Sequence, residues 1–309
     1  MQINTLFPSS IFREDPEDAL AFAAAAERLG CNRLVLHDHV LGAVRSDRAA
    51  PLDGGPYDET TLFHEPFVLS AFLAASTTTL GFGTNVLVLP QRQTALVAKQ
   101  VMELDLVSRG RFVLGVGIGW NWVEYEALGV PFSRRGARLE EQVHLLRRLW
   151  TEPVVDLRGA DHRIDRAGIA PRSGRTVPIW FGGLSRAAVD RCARIGDGFM
   201  FGIAGPSAEK RARRLLGIAK ELGRSPTDVG LDILVDYSDG PSAWEDQVGS
   251  WAELGGTHVT LRTSDDTADF LGKRRNGFAS AEQHVAALEE FASVVRPLTA
   301  AGTSSCADD

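Results

Sequence analysis

The chain has 309 residues, 44% of them hydrophobic and 24% charged, with a net charge of -7. That is ordinary soluble globular composition, long enough for two domains or one large α/β barrel. The acidic balance offers no surface for nucleic acid, no apolar run approaches the roughly 20 residues that span a bilayer, and no basic segment precedes an apolar one at the N-terminus. Cys31, Cys192 and Cys306 are too few and too scattered for a disulfide framework or a thiolate metal site, so a cytoplasmic protein is expected.

Residues 2–6 read as a short apolar strand and 8–15 as a loop. Pro16 at the start and Gly30 just past the end bracket the helix DPEDALAFAAAAERLG. Proline's fixed φ suits a first turn, and glycine accepts the conformation that ends a helix. RLVL, 33–36, is a second strand and runs straight into His37-Asp38-His39. A long polar connection, 42–61, with Gly, Pro and Asp gathered at 51–58, leads to a helix over 65–76.

The stretch 80–122, LGFGTNVLVLPQRQTALVAKQVMELDLVSRGRFVLGVGIGWNW, is the organising unit. Two β-rich runs, 80–89 and 111–116, flank an amphipathic helix, 94–108, which makes one β-α-β unit with an elaborated loop after each strand. The apolar runs are nearly continuous rather than alternating, as expected when helices cover a parallel sheet.

EYEALGVPFSRRG reads as a short helix and turn, and the helix over 134–150 puts Leu139, Val143, Leu146 and Trp150 on one face. Residues 151–177, punctuated by Pro and Gly with β-like pieces at 154–157 and 162–164, form an excursion from the core. Strand 179–183 ends in glycines and is followed by helix 185–195, strand 198–201, helix 207–222, strand 231–235, helix 242–254 and strand 257–261. After a polar loop, 281–294 is the last helix, and the small polar ending GTSSCADD predicts a disordered tail over 299–309. Eight strands alternating with eight helices favour a closed (β/α)8 barrel over a doubly wound sheet. The loops after the strands form the active face of such a barrel, so 37–39, 85–88, 117–122, 182–185 and 201–205 should converge at one mouth.

LGVGIGW invites a nucleotide reading. The dinucleotide fingerprint needs G-x-G-x-x-G opening into a helix, and Trp120 occupies the place of its third glycine after Gly115, Gly117 and Gly119. No Gly-Lys-Ser/Thr follows to make a phosphate loop. Two readings remain: a strand end bare enough for a flat ring or phosphate to lie against the backbone, or a tight turn with no ligand. In His37-Asp38-His39 an imidazole can carry a proton at neutral pH while a carboxylate orients it; otherwise these residues only hydrogen-bond their loop. His64 and Glu65 could be further metal ligands but have no established spacing, and no metal site is assigned. Asn85, polar inside an apolar strand, either bonds backbone across the barrel or faces a ligand. Trp120, Trp122 and Tyr125 either pack the excursion or wall an apolar pocket. Arg134, Arg135 and Arg138 are either a solvated face or a contact for an anionic partner. With no Gly-x-Ser-x-Gly elbow, and with Glu140-Glu141 and Glu289-Glu290 inside helices, nucleophilic hydrolysis is disfavoured.

The string GTNVLVLPQRQTALVAKQVMELDLVSRGRFVLGVGIGWNWVEYEALGVPF-RRG, with HDHV upstream and PIWFGG-S-AA---CARIGDGF downstream, resembles the bacterial luciferase-like monooxygenase superfamily over about residues 2–295. Within it the chain is most similar to the coenzyme F420-dependent oxidoreductases. The resemblance implies a (β/α)8 TIM barrel with insertions, a single domain over 1–298 with the insertion at about 151–177, and F420 or, alternatively, FMN in the barrel mouth. It implies a non-prolyl cis peptide at Asn85–Val86 beneath the ring, with Asp38 and His39 facing the reactive ring edge. Ile118 and Gly119 would line the ring or its side chain, and Gly182, Gly183 and Ser185 would receive the phosphate-bearing tail through backbone N–H groups.

The activity implied is hydride transfer between F420 and a small organic substrate, with His39 giving or taking the proton and Asp38 tuning it. The alternatives are an FMN-dependent monooxygenase fed by a flavin reductase and a non-catalytic cofactor-binding barrel. A homodimer is usual in the family. In one respect the chain departs from it. Members acting on sugar phosphates carry an acidic residue just after the Gly-x-Gly, and here Trp120 stands there, which implies a more apolar substrate.

Overall fold

In the computed structural model, which describes residues 1–12 and 15–301, the apolar runs become the strands of one parallel sheet closed on itself. The strands are β1 (Gln2–Leu6), β2 (Arg33–Leu36), β3 (Gly81–Thr84), β4 (Leu87–Val88), β5 (Phe112–Gly117), β6 (Val155–Arg158), β7 (Arg163–Ala167), β8 (Ile179–Gly182), β9 (Gly198–Ile203), β10 (Gly230–Asp236) and β11 (His258–Arg262). The sheet runs β3-β2-β1-β11-β10-β9-β8-β5-β4, and β3 also pairs with β5, which closes the barrel. With β3 and β4 as halves of one strand, its nine segments make eight staves, and β6–β7 is a separate antiparallel hairpin in the excursion.

The helices are α1 (Pro16–Arg28), α2 (Pro66–Ala75), α3 (Thr94–Val107), α4 (Trp122–Ala127), α5 (Arg135–Thr151), α6 (Arg186–Ile195), α7 (Pro206–Glu221), α8 (Pro241–Glu253) and α9 (Ala281–Ala301). Capping side chains fix several starts by accepting an N–H that the first turn leaves unpaired. Asp15 accepts from Glu17 N, Glu65 from Val68 N and Ser185 from Ala188 N. Outward strand residues such as Leu34, Phe82, Leu114, Phe199, Ile233 and Leu261 bury against the helices in the main core. Inward ones make a second, mixed interior. Val113, Trp180 and Met200 pack together with Val86, Arg33 lies 5.3 Å over the Trp180 ring, and Thr260 donates to Asp232 at 2.7 Å. A side chain at Gly198 or Gly230 would run into the Trp180 ring, so this one indole plugs the barrel floor.

The last helix differs from the expectation that it ends at 294, since α9 continues through Pro297 to Ala301. Proline removes one N–H, but Phe291, Ala292 and Val295 are buried on the same helix and their packing carries it onward. The N-terminal amine donates to Thr299 O at 2.9 Å, tying the two ends of the chain together. Residues 302–309 of the predicted tail lie outside the described residues. Among the described residues no helix is long and apolar enough to cross a membrane.

Candidate active site

The site is built where the third strand breaks. After Thr84 the ladder stops, the Asn85–Val86 peptide is cis, and pairing to β5 resumes at Leu87 opposite Val116. The displaced strand needs room, and the neighbouring strands supply it by lacking side chains. A Cβ on Gly117 would come 2.5 Å from Val86 Cγ2, one on Gly182 2.7 Å from Val86 Cγ1, and one on Gly119 2.6 Å from Val88 Cγ1. The glycines of LGVGIG therefore first accommodate the chain's own bulge. Beneath it His37 Nδ1 donates to the Asn85 carbonyl at 2.7 Å. Loss of hydration pulls the His37 pKa down to about 4, against the pull of that carbonyl and helped by the charges of His39 and Arg262.

Above the bulge lies a cavity of about 560 Å³. His37, Asp38, His39, Asn85, Val86, Ile118, Gly119, Gly182, Gly183 and Ser185 all line it, so the ends of β2, β3, β5 and β8 meet there. The end of β9, 201–205, does not. Arg211 holds the Phe201 carbonyl at 2.6 Å and Ala204 N bonds to Leu234 O, which turns this segment into α7. Trp120, Phe181, Leu184 and Phe270 add apolar wall.

The residues present fit a flat ring with an anionic tail. Val86, Gly117, Ile118 and Gly119 line it side by side, and the N-terminus of α6 opens into the same cavity at Gly182–Ser185. There the helix dipole favours negative charge. Gly183, at φ 140, allows the tight approach: a Cβ there would sit 3.3 Å from Ala188 Cβ. Arg191 lines the same end, paired with Glu140 at 2.9 Å.

The opposite end holds the titratable groups. His39 Nδ1 lies 2.6 Å from Tyr57 Oη and 3.2 Å from Glu124 Oε2. Tyr57 donates to Glu124 Oε2 at 3.3 Å, as does the Gln91 amide at 3.3 Å. Glu124 Oε1 accepts the N–H groups of Val40 at 2.6 Å and Leu41 at 3.2 Å. Glu124 is 1% and Tyr57 3% exposed. Burial alone would raise the Glu124 carboxyl, but the His39 bond and charge and the Leu41 and Val40 N–H groups outweigh it and hold it below the usual carboxylate range. Burial and then the Glu124 charge raise the Tyr57 phenol, so it stays neutral.

Asp38, expected to tune His39, lines the cavity with its carboxylate bonded elsewhere. Its carboxylate is taken by Arg92, 2.6 Å from Nη2, and by Val88 N at 2.9 Å. It ties the end of β2 to β4, and the carboxylate beside His39 is Glu124. Glu124, Tyr57, Gln91 and Arg92 were not picked out from the sequence. The one available signal was an acidic residue among aromatics in the first turn of α4, directly after GIGWNW.

The remaining candidates separate. His64 Nε2 bonds to Ser9 O at 3.2 Å and its ring stacks on Phe12. Glu65 caps α2 and pairs with Arg92 at 3.1 Å. Among the described residues no group of three or more His, Cys, Asp or Glu could hold a metal ion. Trp120 walls the cavity, Trp122 is exposed beneath Arg48, and Tyr125 is buried with its hydroxyl on Ile118 O at 2.6 Å. Arg138 donates to Pro90 O at 3.0 Å and Arg135 lies over Phe132. Arg134 is 3.8 Å from Asp161 and mostly exposed. A second, polar cavity of about 500 Å³ lies at Tyr57 and shares Gly55, Pro56 and Phe270 with the first; Asp58, Asp265, Arg45 and Arg275 line it.

Residues 3–303 match the sequence family of luciferase-like monooxygenases. An F420-dependent glucose-6-phosphate dehydrogenase of Intrasporangium calvum is 31% identical over 253 residues, covering 77% of this chain and 71% of that one. Among solved structures, monooxygenase RslO1 from Streptomyces bottropensis superposes with a TM-score of 0.73 at 18% identity, over 96% of this chain and 99% of that one. An F420-dependent secondary alcohol dehydrogenase, solved with an F420–acetone adduct, gives 0.66 at 20% identity, over 95% and 84%.

Proposed function

Because the chain belongs to the luciferase-like monooxygenase family, we propose that it is an oxidoreductase transferring a hydride between coenzyme F420 and a small, apolar organic substrate. The observation that carries this reading is one cavity lined together by the Val86 bulge, the glycine-rich ends of β5 and β8, the N-terminus of α6 and His39. Bound there, a deazaflavin supplies two-electron hydride chemistry to a carbon centre. The chain's own residues do the rest. Asn85–Val86 and Gly117–Gly119 would seat the ring, Gly182, Gly183 and Ser185 would hold the phosphate, and His39 would take or return the substrate's proton. Asp38 would act indirectly, by holding the end of β2 against β4.

F420 is favoured because the relative at 31% identity depends on it. Trp120, Leu184 and Phe270 support an apolar substrate, one unlike the sugar phosphate of that relative. The likeness of the fold to a monooxygenase supports a second reading, an FMN-dependent monooxygenase with a separate flavin reductase. Under either cofactor we propose that residues 1–298 are one domain and that the protein is a cytoplasmic homodimer; sedimentation of the purified protein checks the dimer.

Parallel fluorescence titrations with F420 and FMN, each oxidised and reduced, decide the cofactor. Tighter binding of F420 is expected. A preference for reduced FMN would move the protein to the monooxygenase class, with oxygen uptake as the next assay. Retained binding without turnover on alcohols, aldehydes and enones would make it a non-catalytic barrel.

A further inference from the structure

We infer that Glu124 is the positioning residue for His39, fixing the imidazole with its hydrogen on Nδ1 and leaving Nε2 as the basic nitrogen toward the cavity. An ionised carboxylate can only accept. Glu124 Oε1 is occupied by the Val40 and Leu41 N–H groups, which follow His39 directly and so fix the backbone that carries it. Oε2 receives the Gln91 amide and the Tyr57 hydroxyl. Tyr57 has one hydrogen for two neighbours. Given to Nδ1, it would leave a bare ring nitrogen facing the acceptor-only Glu124 Oε2 at 3.2 Å, lone pair to lone pair. It goes to Glu124, and the Tyr57 oxygen accepts, as it does from Asn121 Nδ2 at 3.3 Å. Both atoms within reach of His39 Nδ1, Tyr57 Oη at 2.6 Å and Glu124 Oε2 at 3.2 Å, are therefore acceptors. Nδ1 must bring the hydrogen. In water a neutral imidazole prefers its hydrogen on the other nitrogen, so the site selects the less common tautomer.

Nε2 has no partner among the described residues, and the side chain's 16% exposure is toward the cavity it lines. The other charged or titratable groups around His39 leave the assignment unchanged. Asp38 is engaged by Arg92 and Val88 N, and the His37 Nδ1 hydrogen is committed to the Asn85 carbonyl. When Nε2 takes a proton from a substrate hydroxyl, the resulting imidazolium is shared between the Tyr57 oxygen and the Glu124 carboxylate, the arrangement by which a buried carboxylate supports a histidine base. This use of the tautomer rests on the redox reading above; the tautomer itself does not.

The test uses the 309-residue chain with 15N-labelled histidines, with and without F420, by long-range 1H–15N NMR, the His39 signals being assigned by their loss in His39→Gln. A protonated Nδ1 with a bare Nε2 is expected in the neutral ring. A protonated Nε2 would overturn the proposal, whatever the enzyme turns out to oxidise. In Glu124→Gln the His39 signals should move to the ordinary tautomer, whereas Tyr57→Phe, which leaves Glu124 in place, should keep them. With isopropanol and cyclohexanol as probes, Glu124→Gln should lower kcat by about 100-fold, the lower end of what a positioned base contributes, with F420 affinity held within about 2-fold. Loss of F420 binding in parallel with kcat would make Glu124 merely structural and refute the inference. If Glu124→Gln does not fold, the wild-type spectrum decides alone. If the wild type shows the Nδ1 tautomer yet turns over no alcohol, the redox reading fails and the assignment of Glu124 stands.

Discussion

Val86 and the two glycines that flank it show how much of the site rests on absent atoms. With Gly117 and Gly182 at 2.5 and 2.7 Å from its methyl groups when given a Cβ, neither position has space for a side chain. Gly117→Ala should therefore cost about 1–3 kcal/mol, the usual penalty for overpacking, and weaken cofactor binding as the bulge shifts. Gly217, inside α7, makes the contrast. It has nothing within 4 Å of a Cβ, so Gly217→Ala should stabilise by about 0.5–1 kcal/mol through helix propensity alone. Urea unfolding of the two variants side by side checks both signs, and equal effects would remove the argument. Trp120→Ala should raise KM for an apolar substrate about 10-fold, a loss of roughly 1.4 kcal/mol, with F420 affinity unchanged. Unaltered kinetics would take Trp120 out of the substrate wall.

Between elements, the Asp38–Arg92 pair fastens the end of β2 to the segment that follows β4, and Glu65 at the start of α2 joins the same guanidinium. Asp38 is 2% exposed. Removing its partner leaves a buried carboxylate with only one N–H, and breaking a buried pair costs about 3–5 kcal/mol. Arg92→Ala should lose stability on that scale, and Arg92→Lys less, since the ammonium keeps the charge but not the fork. A loss below about 1 kcal/mol in Arg92→Ala would show that the pair is dispensable. The excursion is pinned differently. His162 sits 2.7 Å from Glu141 on α5 and 2.6 Å from Thr94 at the start of α3, so the β6–β7 hairpin is moored to the two helices beneath it.

For the molecule as a whole, buried polar groups in the barrel and under α9 set the response to pH. Unfolded histidines titrate near 6.5, and burial lowers His258 to about 3 and His37 and His284 to about 4. Between those values the unfolded chain holds more protons, so their contribution is full above pH 6.5 and is lost as the pH falls toward 4. Asp232 runs the other way. Burial raises its carboxyl from 3.8 to about 7, against the pull of Thr260 and Arg33. In that window the folded chain holds the extra proton, and the group's contribution is lost as the pH rises. Three histidines outnumber one aspartate, so acid should destabilise. Asp232→Asn removes the opposing group and should steepen the loss between pH 6.5 and 4.5 by about 1.4 kcal/mol per pH unit. Urea-unfolding free energies of both proteins at pH 5, 5.5 and 6 measure it, and parallel slopes would refute it.

The barrel was legible from the chain alone because a strand covered on both faces must be apolar along its whole length, and the helices over it must be apolar on one face. Eight such runs, each ending in glycine or polar residues, leave few other folds, and they place His39, Asn85, Ile118 and Gly182 at strand ends without any knowledge of the contacts. Local chemistry also marked most helix starts, as Pro16 and Ser185 show. It could not assign partners. Asp38 and His39 adjoin in sequence, yet in the loop after β2 one meets Arg92 and the other Tyr57 and Glu124. Glu124 lies 85 residues further on and reaches His39 only because closure of the barrel brings the loop after β5 over the end of β2. Tyr57 comes from a connection with no periodicity to read. The apolar pattern determined the frame, because burial acts on residue type; only the closed tertiary structure decided which charges meet, because hydrogen bonds act on distance.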